Sequence, residues 1–109
     1  MTSSVSEIHN RVVESVVAEP GELAICFVDG WSIAIYNRYS VSDGIGTGLR
    51  EILASMKGAA LAHSEVSDSR LELLFDNKVK LTVGLRAEDY AGPEAAVVSG
   101  PSGEFIVVN

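Results

Sequence analysis

Residues 23–36, LAICFVDGWSIAIY, decide the fold, because their pattern returns 48 residues later as residues 71–84, LELLFDNKVKLTVG, without a gap. In both copies apolar residues alternate with other residues on either side of a polar turn, which is the pattern of a β-hairpin. The sequence therefore predicts two copies of one hairpin. The matched positions are Leu23 with Leu71, Ile25 with Leu73, Phe27 with Phe75, Asp29 with Asn77, Ile33 with Leu81 and Ile35 with Val83.

The same alternation fixes the turn of the first hairpin. A two-residue loop at Asp29 and Gly30 would place the apolar sets of the two strands on opposite faces, whereas a three-residue loop over residues 28–30 places both on one face. We therefore predict pairing of Phe27 with Trp31. The third loop residue must adopt a left-handed backbone conformation. Gly30 adopts this conformation at no steric cost, whereas the side chain of Lys78 in the second copy disfavours it.

Each hairpin is predicted to belong to a larger αβββ unit. Residues 11–18 and 59–66 are predicted to form strands, and residues 5–8 and 49–56 short helices ahead of them. The second helix has the clearer apolar stripe. The first region also fits a continuing helix through Val12 and Val16, but the repeat favours a strand. The two repeats cover about 5–36 and 53–84.

Residues 37–47 are predicted to link the repeats, with Asp43 or Thr47 capping the following helix. The glycines near this helix are spaced G-x-G-x-G without the Walker lysine, so a phosphate loop is disfavoured. Residues 94–108 are predicted to form a terminal hairpin. The predicted fold class is α+β, mostly antiparallel, with about eight strands and one clear short helix in a single domain of residues 1–109. The sequence leaves open whether the repeats form one continuous sheet or two layers.

The charge of the chain limits its partners. Fifteen acidic residues against eight basic ones give a formal charge of −7, and residues 1–48 and 85–109 carry most of the excess. Such a domain is repelled by phosphate backbones and anionic lipid, which disfavours nucleic-acid and membrane partners. A basic protein partner is compatible. The single cysteine, Cys26, and the lack of a signal peptide or an apolar span predict a cytoplasmic protein.

No arrangement of residues points to catalysis, a metal or a cofactor. His9 and His63 have no second ligand at metal-binding spacing, and Cys26 has no basic neighbour in sequence, so we predict a buried structural thiol. A nucleophile motif and a calcium loop are also absent. We therefore expect a non-enzymatic protein.

The second face of the first hairpin carries no charge, in contrast to the second hairpin, where this face bears Glu72 and Lys80. A small, uncharged face is usually covered. We expect the helix or the terminal hairpin to cover it, and the alternative is a homodimer or a partner protein. The face is formed by Ala24, Cys26, Ser32, Ala34 and Tyr36.

Candidate binding residues come from an acidic cluster and from exposed tyrosines. Glu88, Asp89 and Glu94 would contact a basic partner, with Tyr90 as an aromatic anchor. The next candidates are Tyr36 and Tyr39, beside Trp31, which the hairpin register places on the core face.

The two hairpins, the segment YAGPEA at residues 90–95 and the closing FIVVN at residues 105–109 resemble a group of small, acidic, β-rich bacterial proteins. Some proteins of this kind are immunity proteins, which neutralise toxins delivered between competing bacteria, including those of contact-dependent growth inhibition. The resemblance implies a toxin inhibitor and carries no catalytic residues. The leading expectation is an immunity protein that blocks a basic toxin domain, such as a nuclease. The alternative is an assembly module that forms a homodimer through the uncharged face.

Overall fold

The computed structural model describes residues 8–109. Within them lie nine strands, one α-helix, α1 (Leu49–Ser55), and a 3₁₀ turn at Ala87–Asp89. The first predicted helix, residues 5–8, lies outside the described residues except for Ile8. The strands are β1 (Val13–Glu19), β2 (Glu22–Phe27), β3 (Ser32–Ile35), β4 (Tyr39–Ser42), β5 (Leu61–Val66), β6 (Arg70–Phe75), β7 (Lys80–Gly84), β8 (Ala96–Ser99) and β9 (Phe105–Val108).

The strands form two antiparallel sheets, so the chain is mostly antiparallel β with one helix, compatible with the α+β class. The first sheet has the order β1-β2-β3-β8-β9, and the second has the order β4-β7-β6-β5. Every strand pairing within them is antiparallel. The sequence left open whether the repeats form one continuous sheet or two layers. The structure has two sheets, which share one hydrophobic core.

The hairpin register is as predicted. Ile25 pairs with Ile33, and the N–H of Phe27 donates to the carbonyl of Trp31 at 2.8 Å, which closes a three-residue loop. Gly30 has φ of 95° at the third loop position, and Lys78 has φ of 74° at the corresponding position of the β6–β7 turn. Both loops therefore use the left-handed geometry that a loop of this length requires.

The strands ahead of the two hairpins have the same irregularity and contact each other. The register shifts between Val13 and Ser15 in β1, and between Leu61 and His63 in β5, as expected of a β-bulge. Between these strands, the N–H of Val13 donates to the carbonyl of Ala59 at 2.8 Å, and the N–H of Leu61 donates to that of Arg11 at 3.2 Å. These bonds link the two sheets at their bulged strands.

Each sheet is completed by a strand that follows the other sheet's hairpin. β4 leaves the first sheet after β3 and pairs with β7, where Val41 lies opposite Leu81. β8 leaves the second sheet after β7 and pairs with β3, where Val98 lies opposite Ile33. The prediction of an unstructured linker over residues 37–47 was therefore wrong for β4, and the strands number nine instead of eight.

The core lies between the sheets and is built from the alternate residues that the sequence predicted to be buried. Leu23 and Ile35 of the first sheet and Leu71 and Val83 of the second are fully buried. Trp31 is 8% exposed, which confirms its placement on the core face. Burial of these side chains is the main source of stability, at about 1.5–3 kcal/mol for each large aliphatic residue.

The helix α1 closes one side of this core through only part of its predicted stripe. Ile52 and Met56 are buried, whereas Leu49 is 52% exposed. Its N-cap residue is Gly48, which makes no side-chain capping bond, so the prediction of a cap from Asp43 or Thr47 was wrong. The helix has seven residues, and no helix within residues 8–109 has the length and apolar character that crossing a membrane requires.

Candidate functional site

The first sheet has a face whose central rows carry no charged residue, which we call the outer face. Two rows of paired residues cross all five strands, and none of the ten is Asp, Glu, Lys, Arg or His. Val97, in the middle of one row, is 6% exposed. Glu19 and Glu22, which pair with each other, lie on the same face at one end. The exposed margins are apolar, because Val17 is 48% and Phe105 66% exposed. The first row is Val17, Ala24, Ala34, Val97 and Val107, and the second is Ser15, Cys26, Ser32, Ser99 and Phe105.

The matching face of the second sheet is different. It carries Glu65 opposite Glu72, and it presents His63 and Lys80 to solvent. The Nε of Arg70 lies 2.6 Å from Oε2 of Glu72, forming an ion pair at this surface. The second sheet thus has the charged surface of a strand pair that faces water, as the sequence predicted.

The expected covers do not lie over the outer face. The terminal hairpin β8–β9 extends the first sheet at its edge, and α1 packs against β4 of the other sheet. The prediction of an intramolecular cover by either element was therefore wrong. The prediction of a buried thiol was also wrong, because Cys26 is half-buried on this face, between Ser15 and Ser32.

A cleft of about 400 Å³ opens at one end of the first sheet, and we call it the tyrosine cleft. Tyr36 is also part of a neighbouring hollow of about 240 Å³, which Glu94 and the segment 91–93 complete. The structure therefore brings three predicted site residues, Tyr36, Tyr39 and Glu94, to adjoining depressions. The tyrosine cleft is lined by Glu19, Gly21, Glu22, Ile35, Tyr36, Asn37, Arg38 and Tyr39.

The remaining predicted site residues lie elsewhere. Glu88 and Asp89 line a hollow of about 250 Å³ together with Arg70 and Arg86. Asp89 is half-buried, and its Oδ2 accepts a hydrogen bond from the N–H of Arg86 at 3.2 Å. Tyr90 is half-buried, and its N–H donates to the carbonyl of Ala87. The acidic cluster of the sequence is thus divided, and two of its carboxylates lie beside arginines.

Sequence reasoning missed three residues of the tyrosine cleft. Glu19 and Glu22 flank the β1–β2 turn and lie directly opposite each other. Asn37, which follows the hairpin, is only 3% exposed. The predicted hairpin register contained a signal for one of them, because pairing of Leu23 with Ile35 brings Glu22 next to Tyr36.

Asn37 uses only part of its hydrogen-bonding capacity. Its Nδ2 donates to the carbonyl of Gly84 at 2.7 Å, and its backbone N–H donates to that of Ala95 at 3.2 Å. Its Oδ1 is buried and has no hydrogen-bond partner within residues 8–109. A buried acceptor without a partner is costly, which makes this position unusual in the core.

A further depression is an open groove of about 500 Å³ between β1 and α1. Val16, Leu53 and Ala54 form much of its wall, and its charged groups are Glu14, Arg50 and Lys57. These charged side chains are exposed. The groove lacks the enclosed, converging polar groups that a small-molecule or catalytic pocket requires.

Two polar residues that sequence analysis did not place at a site, Arg11 and His9, have structural partners. Arg11 forms an ion pair with Asp29 and lies 4.7 Å from the centroid of the Trp31 ring. The Nε2 of His9 lies 2.6 Å from Oγ of Ser64, and His63 is exposed. Within residues 8–109, no three His, Cys, Asp or Glu side chains converge as a metal site would require.

Comparison of the chain with models of protein families, with curated proteins and with solved structures finds no match to any of the three.

Proposed function

We propose that this chain is a non-enzymatic protein-binding domain, most concretely an immunity protein that neutralises a basic bacterial toxin in the cytoplasm. The observation that carries the proposal is the charge of the first sheet. Its five strands contain the acidic residues Glu14, Glu19 and Glu22 and no lysine or arginine. The strands of the second sheet contain two acidic and two basic residues, namely Glu65, Glu72, Arg70 and Lys80.

The first sheet combines the two features of a protein-binding surface. The central rows of its outer face are uncharged and apolar at the margins, and Glu19 and Glu22 lie on the same face at one end. Protein interfaces have a core depleted of charge and a polar rim that sets specificity and association rate. A partner with an apolar centre and a basic rim would fit this surface.

Inhibition would follow from occupying the basic surface of the toxin. In a nuclease, such a surface binds the phosphate backbone of the substrate. Glu19, Glu22 and Glu94 of the inhibitor would take the place of phosphates there, with Tyr36 and Tyr39 as aromatic anchors. Glu88, Asp89 and Tyr90 remain in the proposed contact, but Arg70 and Arg86 offset the two carboxylates, so their neutralisation has a smaller effect.

The proposal is tested with a basic protein captured by the tagged chain from its native cells. Expression of that protein alone should kill cells, and co-expression of this chain should prevent killing. The association rate constant should fall as salt is raised, because oppositely charged partners attract each other over longer distances at low salt. Replacing Glu19, Glu22 and Glu94 by Gln should lower the rate constant at low salt.

The matched control is Glu65→Gln, which removes one carboxylate from the solvent-facing side of the second sheet. It should leave the association rate nearly unchanged. If the triple variant associates as fast as the unaltered chain, the acidic mechanism is wrong. If killing persists despite co-expression, the immunity role is wrong.

We further propose that the two β-strand triplets are copies of one αβββ unit, offset by 48 residues. The shared register, the bulges in β1 and β5 and the left-handed third residue of both loops support this origin. In the proposed duplication, each copy gained its own surface: the first copy an uncharged outer face and the second a charged one.

A second candidate function is assembly of a homodimer through the outer face. The observation that favours it is the row of Val17, Ala24, Ala34, Val97 and Val107 across five strands. Sedimentation equilibrium should then give twice the monomer mass, and Ala34→Glu should restore the monomer by placing a charge within the contact. Ser40→Glu, on the second sheet, should not change the mass. A monomer at high concentration would exclude this function.

A further inference from the structure

We propose that the tyrosine cleft binds the guanidinium group of an arginine side chain presented by a partner protein. This inference rests on the proposed function, because it names the group by which a basic partner would be recognised. It starts from three observations in the cleft: a pair of facing glutamates, two tyrosines and a buried amide oxygen without a partner.

The facing glutamates create a local excess of negative charge. Glu19 and Glu22 are cross-strand partners at the end of the β1–β2 hairpin. Like charges directly opposite each other destabilise a strand pair. Arg38 also lines the cleft, but no ion pair joins it to either glutamate within the described part of the chain. A bound cation would remove the repulsion between the carboxylates.

The second sheet contains an internal example of this arrangement. Glu65 and Glu72 are also cross-strand partners, and they line a small hollow together with Arg70. There the Nε of Arg70 lies 2.6 Å from Oε2 of Glu72. The chain thus joins its own guanidinium to one glutamate pair, whereas Arg38, which lines the tyrosine cleft, forms no ion pair with Glu19 or Glu22 within residues 8–109.

The buried amide oxygen makes the cleft specific for a hydrogen-bond donor. Asn37 forms part of the cleft wall and is 97% buried, and its Oδ1 has no partner in residues 8–109. Its Nδ2 already donates to the carbonyl of Gly84, so the unused hydrogen-bonding capacity of this buried side chain is that of an acceptor. An anion would leave that acceptor unsatisfied, whereas a cation with several N–H groups could satisfy it.

The tyrosines favour a guanidinium over an ammonium ion. Tyr36 and Tyr39 both line the cleft and are half-buried, so each brings an aromatic ring and a hydroxyl group to its wall. A guanidinium is planar, carries five N–H donors and stacks on aromatic rings, whereas a lysine ammonium is compact and more strongly hydrated. One arginine side chain can therefore contact carboxylate, amide and ring together.

The test uses amide NMR spectra of the whole chain, titrated with Nα-acetyl-arginine methylamide. Saturable shift changes are expected at Glu19, Glu22, Tyr36 and Asn37. The citrulline analogue has nearly the same shape without the charge, and it should give no saturable change. The lysine analogue should bind more weakly than the arginine analogue.

The key variant is Glu22→Gln, which should weaken arginine binding by about two- to fivefold, the usual range for a partly exposed ion pair. It removes a like-charge repulsion, so the free protein should stay folded, as its amide spectrum would show. Glu65→Gln is the matched control and should not change binding. Equal binding of arginine and citrulline, equal binding of arginine and lysine, shifts centred outside the cleft, or an unchanged affinity of Glu22→Gln would each overturn the assignment.

Failure of this inference differs from failure of the proposed function. If a captured basic toxin binds but neither Glu22→Gln nor replacement of the toxin's arginines changes its affinity, the protein-binding function stands and the cleft assignment is wrong. If arginine binds in the cleft but no basic protein is neutralised, the cleft assignment stands and the immunity function is wrong.

Discussion

Lys78 and Gly30 occupy corresponding positions of two turns, but only glycine is suited to the backbone geometry there. Both residues are left-handed, with φ of 74° and 95°. A side chain at such a position costs about 1–2 kcal/mol, whereas glycine adopts it without a steric penalty. The β6–β7 turn therefore carries strain that the β2–β3 turn avoids.

Replacing Lys78 by Gly should raise the free energy of unfolding by about 0.5–1 kcal/mol, because the relief of strain exceeds the entropy that glycine adds to the unfolded chain. Urea denaturation measures the change. Adding a side chain at the matching position of the other turn, by Gly30→Ala, should lower the free energy of unfolding. The new Cβ would also lie 3.0 Å from Cβ of Pro101. A Lys78→Gly protein less stable than the unaltered chain would contradict this interpretation.

The stabilisation that Asp43 contributes to the loop before α1 depends on pH. The hydroxyl of Thr47, and then the N–H of Ile45, donate to its carboxylate and hold the pKa of Asp43 below its ordinary value. Because the folded-state pKa is the lower one, the stabilisation is present above the pKa of the unfolded chain and is lost as pH falls through the folded value.

The midpoint for Asp43 is measured by carbon NMR of its carboxyl group during acid titration. Thr47→Val should raise this midpoint towards the ordinary aspartate value, because it removes the main donor. Thr82→Val, in β7, should leave it unchanged. An unchanged midpoint in Thr47→Val would show that the hydroxyl does not act on the carboxylate.

At the scale of elements, strand β6 carries leucine on both its buried and its exposed face. Substituting each leucine in turn therefore tests which face is buried. Leu73 is fully buried and Leu74 is 40% exposed, although they are neighbours in sequence. Leu73→Ala should lower the free energy of unfolding by about 2–5 kcal/mol, because it leaves a cavity in the core. Leu74→Ala should cost less than about 1 kcal/mol. Equal effects in urea denaturation would contradict the burial of β6.

The sequence predicted those elements whose apolar pattern is strong and whose partner is adjacent in the chain. The register of β2 with β3 followed from residues 23–36 alone. β4 was missed because Tyr39 and Val41 are only two apolar residues in a segment rich in Ser, Gly and Asp, and their partners Val83 and Leu81 are distant in sequence. Pairing between distant strands has no local signal.

The same limit explains the errors at the candidate site. The alternation within residues 23–36 identified the uncharged central rows of the outer face, but Glu22, one residue before this stretch, lies on the same face opposite Glu19. The neighbouring strand could not be known before β8 was placed against β3. The clustering of Glu88, Asp89 and Glu94 in sequence did not show that Arg70 of β6 and Arg86, which follows β7, line one hollow with two of them. Asn37 had no sequence signal for an unsatisfied oxygen.

At the scale of the whole molecule, the exchange of β4 and β8 ties the two halves together. Cutting the chain in the loop between β4 and α1 should therefore not separate the fragments. Ile45 is 84% exposed between Gly44 and Gly46, so a protease site inserted there should be accessible and tolerated.

After cleavage, a denaturing gel should show two fragments, and size-exclusion chromatography in native buffer should show one species of the original size. The amino-terminal fragment contributes β4 to the second sheet, and the carboxy-terminal fragment contributes β8 and β9 to the first. Both fragments contribute to the shared core. Raising the urea concentration should separate the fragments and unfold them together. Separate elution in native buffer would contradict the exchanged pairing.

The exchange also sets an order of events during synthesis on the ribosome. β3 is synthesised before β4, α1 and β5 to β7. β8, the strand that pairs with β3 in the first sheet, is synthesised after all of them. Until then, the growing chain carries an unpaired strand edge in the β2–β3 hairpin, which is the kind of edge that pairs with other chains. A nascent chain stalled before β8 is therefore expected to aggregate more readily than the complete chain.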